Sequence, residues 1–292
     1  MLAYLAFRTA TLIAGVLPVA VSYALARAVG TLAYLAWTGG RKRCTDNMRH
    51  VAGGDERLAR RYARRSFANY AVYIVDFFRL PSASAAEIEA LVDFDGWDTI
   101  EQRRSGQGVV FVTMHFGNWD LGAAILGVSG IPVAVIADRF ANPRLNDLIL
   151  GTRERLGLTI IRADRVGPGI LRALRRNEIV AVLADIPEHE RPVEVEFFGA
   201  TIAVSDGPAR IALRAGSSVV TATVRRINPW SARVTGHLAP VAFEPSGETD
   251  RDVRELTQAL FSHLEQHVRR DPTQWYIFRH LWVADAAAAR PA

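Results

Sequence analysis

The sequence predicts an α/β fold, a mixed sheet flanked by helices, with N-terminal membrane-associating helices in front of it. Three observations point there. After about residue 95, short β-rich runs alternate with helical stretches. The first forty residues are strongly apolar, and a dense block of arginines follows them. The chain has 292 residues, 50% of them hydrophobic, which is ample material for a core. The expected organisation is a hydrophobic membrane anchor over 1–40, a basic amphipathic helical region over 41–95, the main α/β domain over 96–285 and a disordered tail over 286–292.

Between Arg8 and Arg27 lie eighteen residues without a charge, and a second apolar stretch runs on to Arg41. Such a length is at the lower end of what spans a bilayer as a helix. Pro18 falls in its middle and would kink it. Three readings stay open: a spanning or partly inserted anchor, a helical hairpin lying in the interface or packed on the domain, and a signal peptide cleaved after Ala24-Leu25-Ala26. Arg41, Lys42, Arg43 and Arg49 follow, then Arg57, Arg60, Arg61, Arg64 and Arg65. Basic residues beside an apolar segment attract anionic lipid head groups, and this reading is preferred over a solvated helix face or nucleic-acid binding. Their position also predicts that the rest of the chain stays on the cytoplasmic side.

Residues 54–80 read as a long amphipathic helix that Pro81 ends. Phe67, Tyr70, Tyr73, Phe77 and Phe78 make it unusually aromatic, either as a core face or as a wall of an apolar groove. Strands are expected at 108–114, 131–137, 158–161 and 179–184, with helices at 119–128, 143–156, 166–176 and 206–215 between and after them. Residues 217–226 and 231–236 read as paired strands, and 250–270 as a final helix. The lone cysteine, Cys44, excludes an internal disulfide and any cysteine-based metal cluster.

The informative segment runs from Thr113 to Gly122 and holds His115, Phe116, Gly117, Asn118, Trp119 and Asp120. It sits where a buried strand ends and a helix begins, the edge at which open α/β sheets place their ligand sites. A neutral imidazole is a suitable base for a hydroxyl proton. A carboxylate on its other ring nitrogen fixes the tautomer and steadies the imidazolium. On a regular helix, residues five apart lie about 140° apart around the axis. His115 and Asp120 therefore meet only if His115 lies in the turn before the helix. Gly117 and Asn118 suit that turn and the helix cap. The turn's backbone amides are candidates for holding an oxyanion.

These residues resemble the His-x4-Asp/Glu motif of the glycerolipid acyltransferase superfamily. More narrowly, they resemble the bacterial branch with the lipid A biosynthesis (lauroyl and myristoyl) and phosphatidylinositol mannoside acyltransferases. VIADRF at 135–140, VLADIPEHE at 182–190, the stretch at 193–224 with Phe-Phe-Gly and Gly-Pro-Ala, and DPTQWYIFRHLW at 271–282 follow in the branch's order. The resemblance implies a glycerolipid acyltransferase-like fold. It implies transfer of a fatty acyl chain from acyl-CoA or acyl carrier protein to a glycolipid hydroxyl. His115 would be the base and Asp120 its orienting partner. Asp138, Arg139 and Asp185 would line the site, with Arg139 on a phosphate or sugar; Asn118 and Arg210 are further substrate-binding candidates. No metal or cofactor beyond the acyl donor is expected. The expected location is the cytoplasmic face of a bacterial plasma membrane. Asp138 stands where the mannoside enzymes carry Glu, and Ile-Pro follows Asp185, so acceptor and donor stay open. Lysophospholipid acylation, thioester hydrolysis and a non-catalytic lipid-binding role are the alternatives.

His263 and His267 flank Glu265 on the last helix, without the order a zinc protease needs, and read as a solvated face. Trp275, Tyr276 and Trp282 read either as membrane-interface residues or as packing.

Overall fold

A computed structural model describes residues 2–104, 106–137, 141–162, 166–188 and 192–288. Four helices open the chain: α1 (Leu2–Val16), α2 (Val19–Ala36), α3 (Thr38–Val51) and α4 (Glu56–Arg79). Pro18 lies between α1 and α2, as its missing N–H and fixed φ dictate. Asp55 caps α4 by accepting from the backbone amides of Arg57 and Leu58. A 3₁₀ turn at Leu80–Ser82, with Pro81 inside it, closes α4. α1, α2 and α3 all pack on α4. Gly30 permits the close approach of α2, because a Cβ there would fall 2.5 Å from the Phe67 carbonyl oxygen. Arg79 reaches back to cap the end of α1, donating to the Ala14 carbonyl at 2.8 Å and the Leu17 carbonyl at 2.7 Å.

The apolar N-terminus forms helices that pack on α4. α2 is long and apolar enough to cross a membrane by length and composition. Yet its inner face buries Ser22, Tyr23, Ala26 and Gly30. Tyr23 donates to Asp76 of α4, and Asp76 also accepts from Arg226 and, at 2.9 Å, from Asn118. The outer faces leave Leu5, Leu12, Val16, Leu25, Val29, Leu32 and Leu35 exposed. Part of the basic block is structural. Arg43 donates to the Phe278 carbonyl at 2.8 Å, and Arg49 pairs with Asp46 and Glu56.

Short elements follow: α5 (Ala85–Leu91), β1 (Val92–Asp95) and α6 (Trp97–Arg103). The alternation then runs as expected: β2 (Val109–Thr113), α7 (Trp119–Val128), β3 (Val133–Ala137), α8 (Pro143–Arg155), β4 (Leu158–Arg162), α9 (Val166–Arg175) and β5 (Ile179–Leu183). A hairpin of β6 (Pro192–Phe197) and β7 (Ala200–Ser205) precedes α10 (Gly207–Ala215), β8 (Ser218–Arg226), β9 (Val234–Pro240), α11 (Thr249–Arg270) and α12 (Val283–Ala288). The expected tail thus begins inside α12, and 289–292 lie outside the described residues.

The main sheet is seven-stranded and mixed, in the order β1-β9-β8-β2-β5-β3-β4. β8, β2, β5, β3 and β4 run parallel; β9 is antiparallel to β8 and parallel to β1. The central strands are Val/Ile-rich because helices cover both faces. The largest core packs α9, α10, α11 and the hairpin against one face of the sheet, together with Trp275 and Trp282. Those two tryptophans are fully buried and Tyr276 nearly so, which settles their role as packing rather than interface. Trp282 stacks on His50 at 4.1 Å and donates to the Phe197 carbonyl at 3.1 Å.

Candidate active site

β2 and β5 are parallel neighbours in register, with Thr113 opposite Leu183. His115 and Asp185 each lie two residues beyond that pair, so they meet at the carboxyl edge of the sheet. Asp185 Oδ1 lies 2.8 Å from His115 Nδ1. The carboxylate also accepts from the His115 backbone N–H at 3.0 and 3.1 Å and from Trp275 Nε1 at 2.9 Å. Asp185 is 0% exposed, so these bonds replace all its water.

Burial alone would raise the Asp185 carboxyl, but the His115 ring, the Trp275 indole and the backbone amide hold it below the usual carboxylate range. Burial likewise works against an imidazolium at His115, yet the Asp185 charge outweighs it and the ring's pKa stands above its ordinary value. An ionised Asp185 accepts, so Nδ1 carries the proton and Nε2 presents its lone pair. The ring packs edge-on to Trp119 at 5.1 Å, and its side chain is 27% exposed.

The ring partner expected within the motif, Asp120, holds a different place. It lies in the first turn of α7, and its Oδ2 accepts from the Tyr73 hydroxyl at 2.6 Å. Its Oδ1 accepts from Arg153 of α8 at 2.8 Å. No hydrogen bond joins it to His115 (its charge still contributes to the raised pKa of the ring). The five-residue separation keeps the two side chains apart, and the nearer carboxylate comes from the neighbouring strand. Tyr73 is pushed well above its usual pKa by burial and by Asp120, so its hydroxyl remains the donor.

His115, Trp119, Asp120 and Arg153 share a cavity of about 250 Å³. Its remaining walls are largely apolar: Ala123, Val135, Ile136, Leu158, Ala181 and Ile186. The site is therefore a base, a positive group and an apolar pocket at one sheet edge.

The turn at 115–118 is built by hydrogen bonds that also overturn one expectation. Phe116 N donates to the Met114 carbonyl, Gly117 N to Gln274 at 2.8 Å and Asn118 N to Val224 at 3.0 Å. With His115 N on Asp185, every amide of the turn is occupied, and none is left for an oxyanion. Gly117 has φ +62°, and a Cβ on it would fall 1.7 Å from the Val224 carbonyl oxygen. Asn118 is the cap of α7, accepting from Leu121 N at 3.0 Å and donating to Asp76, so both ends of its side chain already have partners within the chain. Arg210 sits on α10, paired with Asp206 at 2.7 Å and Asp250 at 3.5 Å, and does not line this cavity. Asp138 and Arg139 lie outside the described residues.

Tyr73, Arg153 and Trp275 are the residues that motif reading missed. Tyr73 belonged to the aromatic set of α4, but nothing in its spacing pointed at α7. Among the described residues no three His, Cys, Asp or Glu side chains gather to hold a metal. The His267 face is not open to solvent as expected: its ring lies 3.1 Å from the Thr223 hydroxyl, and burial pushes it down to about 4.

Fold and site define an α/β enzyme with a buried carboxylate–imidazole pair at the carboxyl edge of a mixed sheet. Residues 2–284 match the family of bacterial lipid A biosynthesis acyltransferases. The chain belongs to that family and is an acyltransferase. It is similar to the phosphatidylinositol mannoside acyltransferase of Mycolicibacterium smegmatis, 26% identical over 269 residues that cover 89% of this chain and 85% of the relative. It is likewise similar to the phosphatidylinositol mannoside acyltransferase of Mycobacterium tuberculosis, 27% identical over 263 residues, 82% of this chain and 81% of the relative.

Proposed function

We propose that this acyltransferase moves a fatty acyl chain from a thioester, acyl-CoA or acyl carrier protein, onto a hydroxyl of a glycolipid at the cytoplasmic face of a bacterial plasma membrane. The observation that carries the proposal is the His115–Asp185 pair, whose imidazole lines a largely apolar cavity, within a chain of this family. His115 Nε2 takes the proton as the acceptor oxygen attacks the thioester carbonyl. The C–O bond forms, the C–S bond breaks, and the imidazolium returns the proton to the departing thiolate. Asp185 fixes the tautomer and stabilises the imidazolium. Arg153 brings positive charge to the same cavity, partly balanced by Asp120, and Tyr73 anchors that pair. The reaction so written needs no metal and no further cofactor. A mannosylated acceptor is favoured by the names of the mycobacterial relatives.

Membrane contact follows from α1 and α2, whose exposed leucines and valines face outward. Arg60, Arg61, Arg64 and Arg65 of α4 line a cavity beside Leu35, a charge suited to lipid phosphates. An apolar groove of about 490 Å³ between α1, α2 and α4 counts Tyr70 and Phe278 among its lining residues. Tyr70 packs on Tyr73 at 5.7 Å, and Tyr73 stacks on Trp119 at 4.1 Å, so an aromatic path links groove and site.

The test supplies the protein with an acyl thioester and a bacterial glycolipid extract, then follows thiol release and lipid mass together. Thiol release matched by a glycolipid gaining one acyl chain supports transfer. Thiol release with free fatty acid alone would mean that water is the acceptor, and the proposal would fall.

A further inference from the structure

A second cavity, of about 370 Å³, lies between α2, α4, the loop after β8 and residues 271–276. It shares no lining residue with the His115 cavity. Three guanidinium groups line it: Arg27, Arg65 and Arg226. Arg226 is used by Asp76, and the one carboxylate in the lining, Asp271, is used by Thr273 and Gln274. Arg27 is different. It donates to Asn69 Oδ1 at 2.9 Å and to the Pro229 carbonyl at 2.8 Å, both neutral oxygens. Its Nε is buried without any hydrogen-bond partner. Its guanidinium lies 5.2 Å from the centre of the Trp230 ring. Arg65, which also lines the cavity, has no ion pair among the described residues. A half-buried charge held only by neutral groups calls for an anion.

The surroundings specify which anion. Trp230 and Ile227 line the cavity and are 54% and 57% exposed at its rim. A soluble phosphate would leave this apolar rim in water. A phospholipid would place its phosphodiester between Arg27 and Arg65 and its chains along the rim.

We propose that Arg27 and Arg65, with Asn69 and Trp230, form a binding site for the phosphodiester of a membrane phospholipid, separate from the acyl-transfer site. It stands apart from the catalytic reading, and its test reads binding alone. The probe is a short-chain phosphatidylglycerol kept below its micelle concentration, titrated calorimetrically into the full chain, so no bilayer is needed. The proteins are wild type, Arg27→Gln/Arg65→Gln, and the charge-matched Arg172→Gln/Arg175→Gln, which changes two exposed arginines of α9 far from both basic cavities in the chain. The pocket pair loses about tenfold or more in affinity, while the charge-matched pair stays within about threefold of wild type. Arg27→Lys, which keeps the charge and lacks the fork, falls between them. If the pocket pair does not fold, Arg65→Gln alone carries the comparison. Equal losses in both pairs would show general attraction and overturn the site. Inorganic phosphate binding as tightly as the lipid would show a free-anion pocket and overturn it too, as would no binding by wild type.

Discussion

Replacing Asp185 by Asn separates two accounts of the base. The carboxylate accepts three kinds of donor: the His115 ring, the His115 amide and the Trp275 indole. An amide keeps one acceptor oxygen and turns the other into a donor. If its NH₂ faced the Trp275 indole, a buried donor would be stranded at a cost of about 1–3 kcal/mol. The side chain therefore turns its NH₂ toward His115 Nδ1, which is able to accept. That choice preserves most of the stability and reverses the tautomer: Nε2 then bears hydrogen and cannot take a proton. In a serine-protease triad the same change lowers kcat by about 10⁴, and a loss on the order of 10³–10⁴ is expected here. The assay is thiol release coupled to lipid mass, measured across pH. Asp120→Asn is the control, because Asp120 bonds to Tyr73 and Arg153 and leaves the tautomer untouched. The reasoning is refuted if Asp185→Asn turns over at close to the wild-type rate, or if Asp120→Asn alone abolishes it with unchanged stability.

The pH profile gives a second prediction. His115 acts when neutral, and its pKa is raised, so the acidic limb of kcat/KM lies above pH 6.5, the ring's ordinary value. Activity rises with pH through that limb, and residual activity in Asp185→Asn has its limb displaced to lower pH. Arg153→Ala leaves Asp120 buried beside Tyr73 without its charge partner; a stability loss of roughly 3–5 kcal/mol is expected in denaturant titration. Gly117→Ala meets both a left-handed φ and the Val224 carbonyl, so calorimetry should show more than the roughly 1–3 kcal/mol that such a backbone costs a non-glycine residue. Leu12→Ser with Leu25→Ser and Leu32→Ser changes only exposed positions, so sedimentation with vesicles should weaken while the melting temperature holds.

The alternation of strands and helices from residue 108 onward was legible because each buried strand is a continuous apolar run bounded by turn residues. The turn holding His115 was legible for the same reason: strand, glycine and cap stand side by side in the chain. Its ring partner was not. Asp185 lies seventy residues away, and the two meet only because β2 and β5 are neighbours, an adjacency that no local pattern encodes. The resemblance to the His-x4-Asp motif favoured Asp120, and the structure gives that residue to Tyr73 and Arg153. The oxyanion role assigned to the turn failed because its amides are spent on Gln274 and Val224, segments remote in sequence. The β6–β7 hairpin was missed although its residues alternate around Phe198-Gly199, a period that could have been read. α5, β1 and α6 are too short for periodicity to reveal. At the N-terminus, composition showed the apolar segments, but only tertiary packing, with Gly30 against Phe67 and Tyr23 against Asp76, separates a packed helix from a free span.

The central claim is that His115 is the base for acyl transfer to a lipid hydroxyl. The most direct measurement compares wild type with His115→Ala, each shown to be folded by its melting temperature, in the coupled thiol and lipid-mass assay. Loss of the acylated glycolipid, with vesicle binding intact, is the predicted result. Acylated glycolipid formed by His115→Ala at the wild-type rate would contradict it.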